Sequence, residues 1–143
     1  MANKENNLRS NLLPFRIGID LVGVGKIRKI FARAKTLRES VFTPEELRYS
    51  WERKDPYVCL AALFAVKEAL FKALGTGLSG EMDWRDVEVQ RGTSGTTVLR
   101  LCGKTARVAD EMGVIRHALS LSHTKDYGIA TVLLVIVTPD IGA

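Results

Sequence analysis

Between Tyr57 and Leu74, 15 of 18 residues are apolar, and only Lys67, Glu68 and Lys72 interrupt them. A helix this apolar on every face has to be covered on several sides, and charges within it are costly to bury unless they meet ions or ligands. Glu68 and Lys72 stand one turn apart on one side of it. A simple intrahelical pair between them is worth only about 0.2–0.5 kcal/mol, too little to account for charges in so apolar a segment. Gly75 and Gly77 follow, where the helix can stop in a left-handed residue and a ligand can approach the backbone.

The rest of the chain frames this segment. Its 143 residues, 46% hydrophobic and 26% charged, suit one ordinary domain, read here as 14–138 between a polar lead-in (1–13) and a tail (139–143). A formal net charge of +5 favours an anionic partner: a nucleotide, a nucleic acid or an acidic protein. No zinc pattern, aromatic stacking motif or helix-turn-helix signature supports nucleic acid. The lead-in lacks the continuous apolar core of a signal peptide. The apolar run from Ile129 to Val137 is too short to span a bilayer, so a cytoplasmic protein without a membrane anchor is expected. Cys59 and Cys102 are isolated, without metal-ligand spacing, and read as reduced core thiols.

Pro14 to Val22 alternates as a strand that carries Asp20 near its end. Ile27, Ile30, Phe31 and Ala34 then repeat at helical spacing, with Lys26, Lys29 and Arg33 on another face, giving an amphipathic helix with a basic outside. Thr43-Pro44-Glu45-Glu46 opens a further helix, with an N-cap, a proline and first-turn acids. Arg53-Lys54-Asp55-Pro56 breaks the chain before the long helix. Val87–Gln90 and Val98–Leu101 read as paired strands, 103–112 as a short helix, and 117–123 and 128–137 as two further strands around a tight turn. Strands and helices without regular β-α-β alternation predict an α+β domain, with a small antiparallel sheet packed on the long central helix. With so few other elements available, a second copy of the chain is expected to cover part of that helix.

Gly18-Ile19-Asp20, then Phe64-Ala65-Val66-Lys67-Glu68-Ala69 with Lys72-Ala73-Leu74-Gly75-Thr76-Gly77, then Ser120-Leu121-Ser122-His123-Thr124 together resemble the holo-acyl-carrier-protein synthases, the small phosphopantetheinyl transferases. Each motif alone is weak, but their order and spacing over about residues 17–134 make the resemblance specific. The resemblance implies the family's 4'-phosphopantetheinyl transferase fold. It also implies magnesium-dependent transfer of 4'-phosphopantetheine from coenzyme A to a serine of an apo acyl carrier protein, with release of adenosine 3',5'-bisphosphate. A homotrimer with sites between subunits is implied as well.

On that footing Asp20 and Glu68 would hold the magnesium, and Asp20, Glu68 and Lys72 would form the catalytic set. Magnesium takes few protein carboxylates and completes its shell with water and substrate phosphates, which suits such a pair. Lys72 would place an ammonium on the same phosphates. The serine proton would go to Glu68 or to water. Lys67 faces another side of the helix; a coenzyme A phosphate and a carboxylate partner are both open to it. Ser122, His123 and Thr124, with Gly75 and Arg53, would contact coenzyme A, although a turn bonding its own backbone explains Ser122 and Thr124 equally well. Lys26, Arg28, Lys29 and Arg33 would dock the acidic carrier protein.

The chain departs from the family pattern in three places. Gly23 stands where an acid is usual, Leu63 where an arginine is usual, and Gly95-Thr96-Thr97 where Gly-Lys-Pro is usual. These changes point to a specialised transferase serving a polyketide or other secondary-pathway carrier. The competing expectation is a catalytically silent relative that keeps only the docking function.

Overall fold

The computed structural model describes residues 14–137. Its elements run β1 (Phe15–Gly23), α1 (Val24–Phe31), α2 (Lys35–Val41), α3 (Pro44–Trp51), α4 (Pro56–Leu74), a 3-10 turn (Trp84–Asp86), β2 (Val87–Arg91), β3 (Thr97–Leu101), α5 (Gly103–Glu111), β4 (Val114–His123) and β5 (Tyr127–Ile136). The expected lead-in at 1–13 and tail at 139–143 lie outside the described residues. The fold is α+β as expected. β5 is the centre of an antiparallel sheet ordered β1-β5-β4, and β2 and β3 form a separate hairpin.

Local chemistry sets the ends of the long helix. The Asp55 carboxylate accepts the Tyr57 amide at 3.0 Å, Pro56 takes the first helical position, and Gly75 closes α4 at φ 77°. The sheet lies close on this helix because Gly18 in β1 and Gly128 in β5 carry no side chain. A Cβ on Gly128 would come 2.5 Å from the Ala62 amide nitrogen.

Two expectations change. α4 is covered by its own chain: Leu60, Ala61, Ala65, Val66, Ala69 and Leu70 have no exposure. The uncovered apolar surface is on the sheet instead. Phe15, Ile17, Ile19 and Leu21 alternate along β1 on the face turned away from α4, each more than half exposed. Ile129, paired with Leu21, continues that face onto β5. The basic helix is also shorter than its periodicity suggests, because α1 ends at Phe31 and α2 begins at Lys35. Arg38 from α2 donates to the carbonyls of Phe31 and Ala32 at 2.7 and 3.1 Å, which satisfies the end of α1.

Cys59 is buried, as a core thiol should be, but Cys102 is exposed. It occupies the turn between β3 and α5, with its Sγ 3.9 Å from the Asp86 carboxylate. Among the described residues no helix is long and apolar enough to cross a membrane.

Candidate active site

β1 crosses α4 at Gly18, and the strand alternation then turns Asp20 toward the helix two residues later. The Lys72 ammonium donates to the Asp20 carboxylate at 2.8 Å and to the Ile19 carbonyl at 3.0 Å. Its bond to Asp20 holds the ammonium above the usual lysine range. Glu68, half-buried one turn before Lys72, is held above the ordinary carboxylate range. Burial is the larger cause and the nearby charge of Asp20 the second, opposed by Lys72 and Lys26. The structure therefore brings Asp20, Glu68 and Lys72 together.

Two neighbouring carboxylates, one of them held above its ordinary range by burial and by the other's charge, fit a hard divalent cation beside one half-exposed ammonium. Among the described residues no group of three His, Cys, Asp or Glu side chains gathers at one point. A pair of carboxylates is a donor set that magnesium can use, since it leaves most of its positions to water and phosphate oxygens.

Lys67 belongs elsewhere. Its ammonium has no exposure and lies 2.9 Å from the Glu46 carboxylate. It also donates to the carbonyls of Trp84, at 3.1 Å, and Val87. Burial pushes its pKa down while Glu46 opposes the shift. The partner open to Lys67 in this fold is thus a carboxylate and not a coenzyme A phosphate. Glu46 accepts as well from the amides of Thr43 and Val89, both at 2.9 Å, so it joins α3, α4 and β2 at one point. The sequence marks Glu46 only as a helix-start acid, and nothing local signals a partner 21 positions away.

The Ser122-His123-Thr124 group is divided. Consecutive strand residues point to opposite faces, so Ser122 lies on the outer face opposite Ile129 while His123 turns inward. Thr124 bonds its own turn, its Oγ1 accepting the amides of Asp126 and Tyr127, both at 3.1 Å. His123 lines a groove of about 760 Å³ together with Arg28, Arg53, Lys54, Arg91 and Lys125. Ala62, Leu63 and Leu121 form part of its apolar wall. Arg53 is therefore placed with His123, whereas Gly75 lies at the opposite end of α4, roughly 18 Å along the axis from Leu63. Arg91 and Tyr49, also in this groove, carry no motif and come to it only through the fold.

Asp20 and His123 stand on the two outer strands of the sheet, separated by β5. One chain thus carries a carboxylate cluster at one edge and a cationic groove at the other. Lys26 and Lys29 on α1 and Arg33 in the turn after it are exposed. Arg28 is held by Asp55 at 2.6 Å and covers the Tyr57 ring, so it points toward the groove. Gly23 stands in open space at the start of α1, where an added Cβ would meet nothing nearer than the Lys26 Cβ at 3.9 Å.

Comparison with known proteins agrees with this geometry. The family model of the 4'-phosphopantetheinyl transferase superfamily matches residues 16–132. The holo-[acyl-carrier-protein] synthase of Desulforudis audaxviator is 46% identical over 120 residues, covering 83% of this chain and 91% of the relative. That of Syntrophotalea carbinolica is 42% identical over 118 residues, covering 82% and 92%. The solved ACPS-CoA complex of Chronobacterium ammoniagenes superposes with a TM-score of 0.78 at 28% identity, covering 87% of this chain and 99% of that one. The chain belongs to the 4'-phosphopantetheinyl transferase superfamily and, within it, to the holo-acyl-carrier-protein synthase family of enzymes.

Proposed function

We propose that this protein is a cytoplasmic enzyme that transfers 4'-phosphopantetheine from coenzyme A to the serine hydroxyl of an apo acyl carrier protein. The observation that carries this reading is the clustering of Asp20, Glu68 and Lys72 where β1 crosses α4. The serine oxygen attacks the phosphorus that bears the pantetheine arm, the bond from that phosphorus to the bridging oxygen breaks, and adenosine 3',5'-bisphosphate leaves. Such a transfer needs alignment and charge neutralisation more than covalent help from the protein.

Asp20 and Glu68 are the residues that would hold magnesium, which when bound supplies positive charge against the diphosphate. Lys72, with more than half of its side chain exposed, can release Asp20 and contact the leaving phosphate as its charge grows. Glu68, already held above the usual carboxylate range, accepts the serine proton directly or through water.

The cationic groove binds the nucleotide of a coenzyme A whose diphosphate lies at a neighbouring chain's carboxylate cluster. The exposed outer face of β1 and β5 is the surface through which copies assemble, as a homotrimer with sites between subunits. Lys26, Lys29 and Arg33 meet the acidic carrier protein, while Arg28 serves the groove. A preference for secondary-pathway carriers is part of this reading, and faster modification of a fatty-acid carrier than of all secondary-pathway carriers contradicts it.

The test is the intact mass of an apo carrier protein after incubation with this protein, coenzyme A and magnesium. A gain of about 340 Da, the phosphopantetheine expected from phosphoryl transfer, supports the proposal. No gain across diverse carriers that still bind points to a silent docking protein.

A further inference from the structure

Asp20 has two claimants. Its Oδ1 accepts the Lys72 ammonium at 2.8 Å, and the same ammonium donates to the Ile19 carbonyl at 3.0 Å. Glu68, one turn earlier on α4, is also within electrostatic reach of that ammonium. The chain's own cation therefore stands among the two carboxylates proposed to hold magnesium. Magnesium takes its oxygens at about 2.1 Å, so on either oxygen of Asp20 it would lie within roughly 7 Å of the ammonium in this position. Cations that share one carboxylate raise each other's cost.

The partners of this ion pair are not equally free to move. The Asp20 side chain is 16% exposed, on a strand pressed against α4 at Gly18, whereas that of Lys72 is 54% exposed. A lysine also carries its charge at the end of a flexible four-carbon stem. The ammonium is thus the group that gives way, and it does so at least cost when another anion receives it. In the proposed function a diphosphate reaches this cluster, with oxygens enough for the ammonium and a metal together. We infer that Lys72 is the internal counter-ion of the carboxylate site and hands Asp20 over to the divalent cation when a diphosphate takes the ammonium, so that cation and diphosphate bind cooperatively. The hand-over rests on the transferase reading for its ligand, and it adds an order of events: Asp20 is freed as substrate binds, before any bond to phosphorus changes. Such a coupling is reciprocal, so magnesium tightens coenzyme A by the factor with which coenzyme A tightens magnesium.

The test is calorimetric titration of magnesium into the full chain, alone and saturated with coenzyme A, with magnesium binding to free coenzyme A subtracted. It uses the wild type, Lys72→Met and Lys72→Gln, beside the carrier-protein mass assay. Lys72 is exposed, so neither replacement removes core packing. Without coenzyme A, both variants should bind magnesium about three- to fivefold more tightly than the wild type, the factor that an ion pair with one exposed partner carries. With coenzyme A bound, all three proteins should bind magnesium within about twofold of one another, since the ammonium has then left Asp20. The coupling between the two ligands therefore shrinks by about three- to fivefold in the variants. The part that remains comes from direct contact of magnesium with the phosphates.

Magnesium affinity of the chain alone that neither replacement changes, or that neither variant shows at all, would overturn the hand-over. So would an equal gain with and without coenzyme A, the mark of a charge acting through space alone. The two readings fail separately. If the coupling is present and shrinks in the variants but no carrier gains mass, the transferase reading falls and the hand-over stands as a property of a coenzyme A and metal site. If carriers gain mass and the coupling is the same in all three proteins, only the hand-over falls. A wild type that binds no coenzyme A overturns both.

Discussion

Gly18 lies so close to Ala69 that a Cβ on the glycine would overlap the Ala69 carbonyl oxygen and stand 2.8 Å from the Ala73 amide nitrogen. This contact brings β1 down onto α4 and delivers Asp20 to Lys72.

Gly18→Ala is therefore a test of how the fold builds the site. Forcing a methyl into that space should cost roughly 1–3 kcal/mol, the usual range for overpacking a filled interior. Denaturant unfolding of the variant measures it. Transfer activity under conditions where the variant is fully folded should fall as well, because Asp20 moves with the strand. An unchanged midpoint would show that the strand and helix have room to part.

The Glu46–Lys67 pair gives a second prediction. Replacing one partner, as in Lys67→Met, leaves the other charge buried and unpaired, and should cost about 3–5 kcal/mol. Glu46→Gln combined with Lys67→Met should recover a large part of that loss, since no buried charge remains. If the double variant is as unstable as the two single losses added together, the residues do not act as a pair. Magnesium dependence should be unchanged in any of these variants that fold.

Glu68 supplies a pH dependence. Its folded carboxyl titrates above the ordinary value of 4.5. The unfolded chain therefore ionises first, and stability present below that value is lost as pH rises through the raised folded pKa. In metal-free protein, the melting temperature of the wild type should fall relative to Glu68→Gln across that window. Magnesium favours the ionised carboxylate and should reverse the order, raising the melting temperature of the wild type much more than that of the variant. Parallel pH profiles for the two proteins, with and without magnesium, would remove Glu68 from the metal site.

On α1 and the turn that follows it, Lys29→Glu with Arg33→Glu should raise the Michaelis constant for the carrier protein at least about tenfold, through lost electrostatic attraction. The constant for coenzyme A should stay the same, and the effect should shrink with added salt. Equal losses for both substrates would reject α1 and the turn after it as the docking surface.

The sequence and the fold divide the explanation unevenly. The apolar length of α4, its glycine end and the order of the three motifs were legible because they depend on neighbours along the chain. The alternation of Phe15, Ile17, Ile19 and Leu21 was legible too, but not the face it occupies. Apolar alternation ordinarily points to the core, whereas here the inward row is Gly18, Asp20 and Val22, because only a glycine lets the helix come so close. The surplus apolar surface was accordingly expected on the helix and found on the sheet. Lys67 could not be assigned from its own segment, since Glu46 reaches it from another helix. Arg91 and Tyr49 meet across the fold, from β2 and α3, and leave no local pattern.

Asp20 and Glu68 together are proposed to serve the phosphate chemistry. The most direct test of that role is the rate of carrier-protein mass gain as magnesium is titrated into the wild type, Asp20→Asn and Glu68→Gln. The rate in the wild type should be strictly metal-dependent and should fall at least about a hundredfold in each variant, with carrier binding intact. A rate in either variant within about threefold of the wild type, at the same magnesium concentration, would contradict that role.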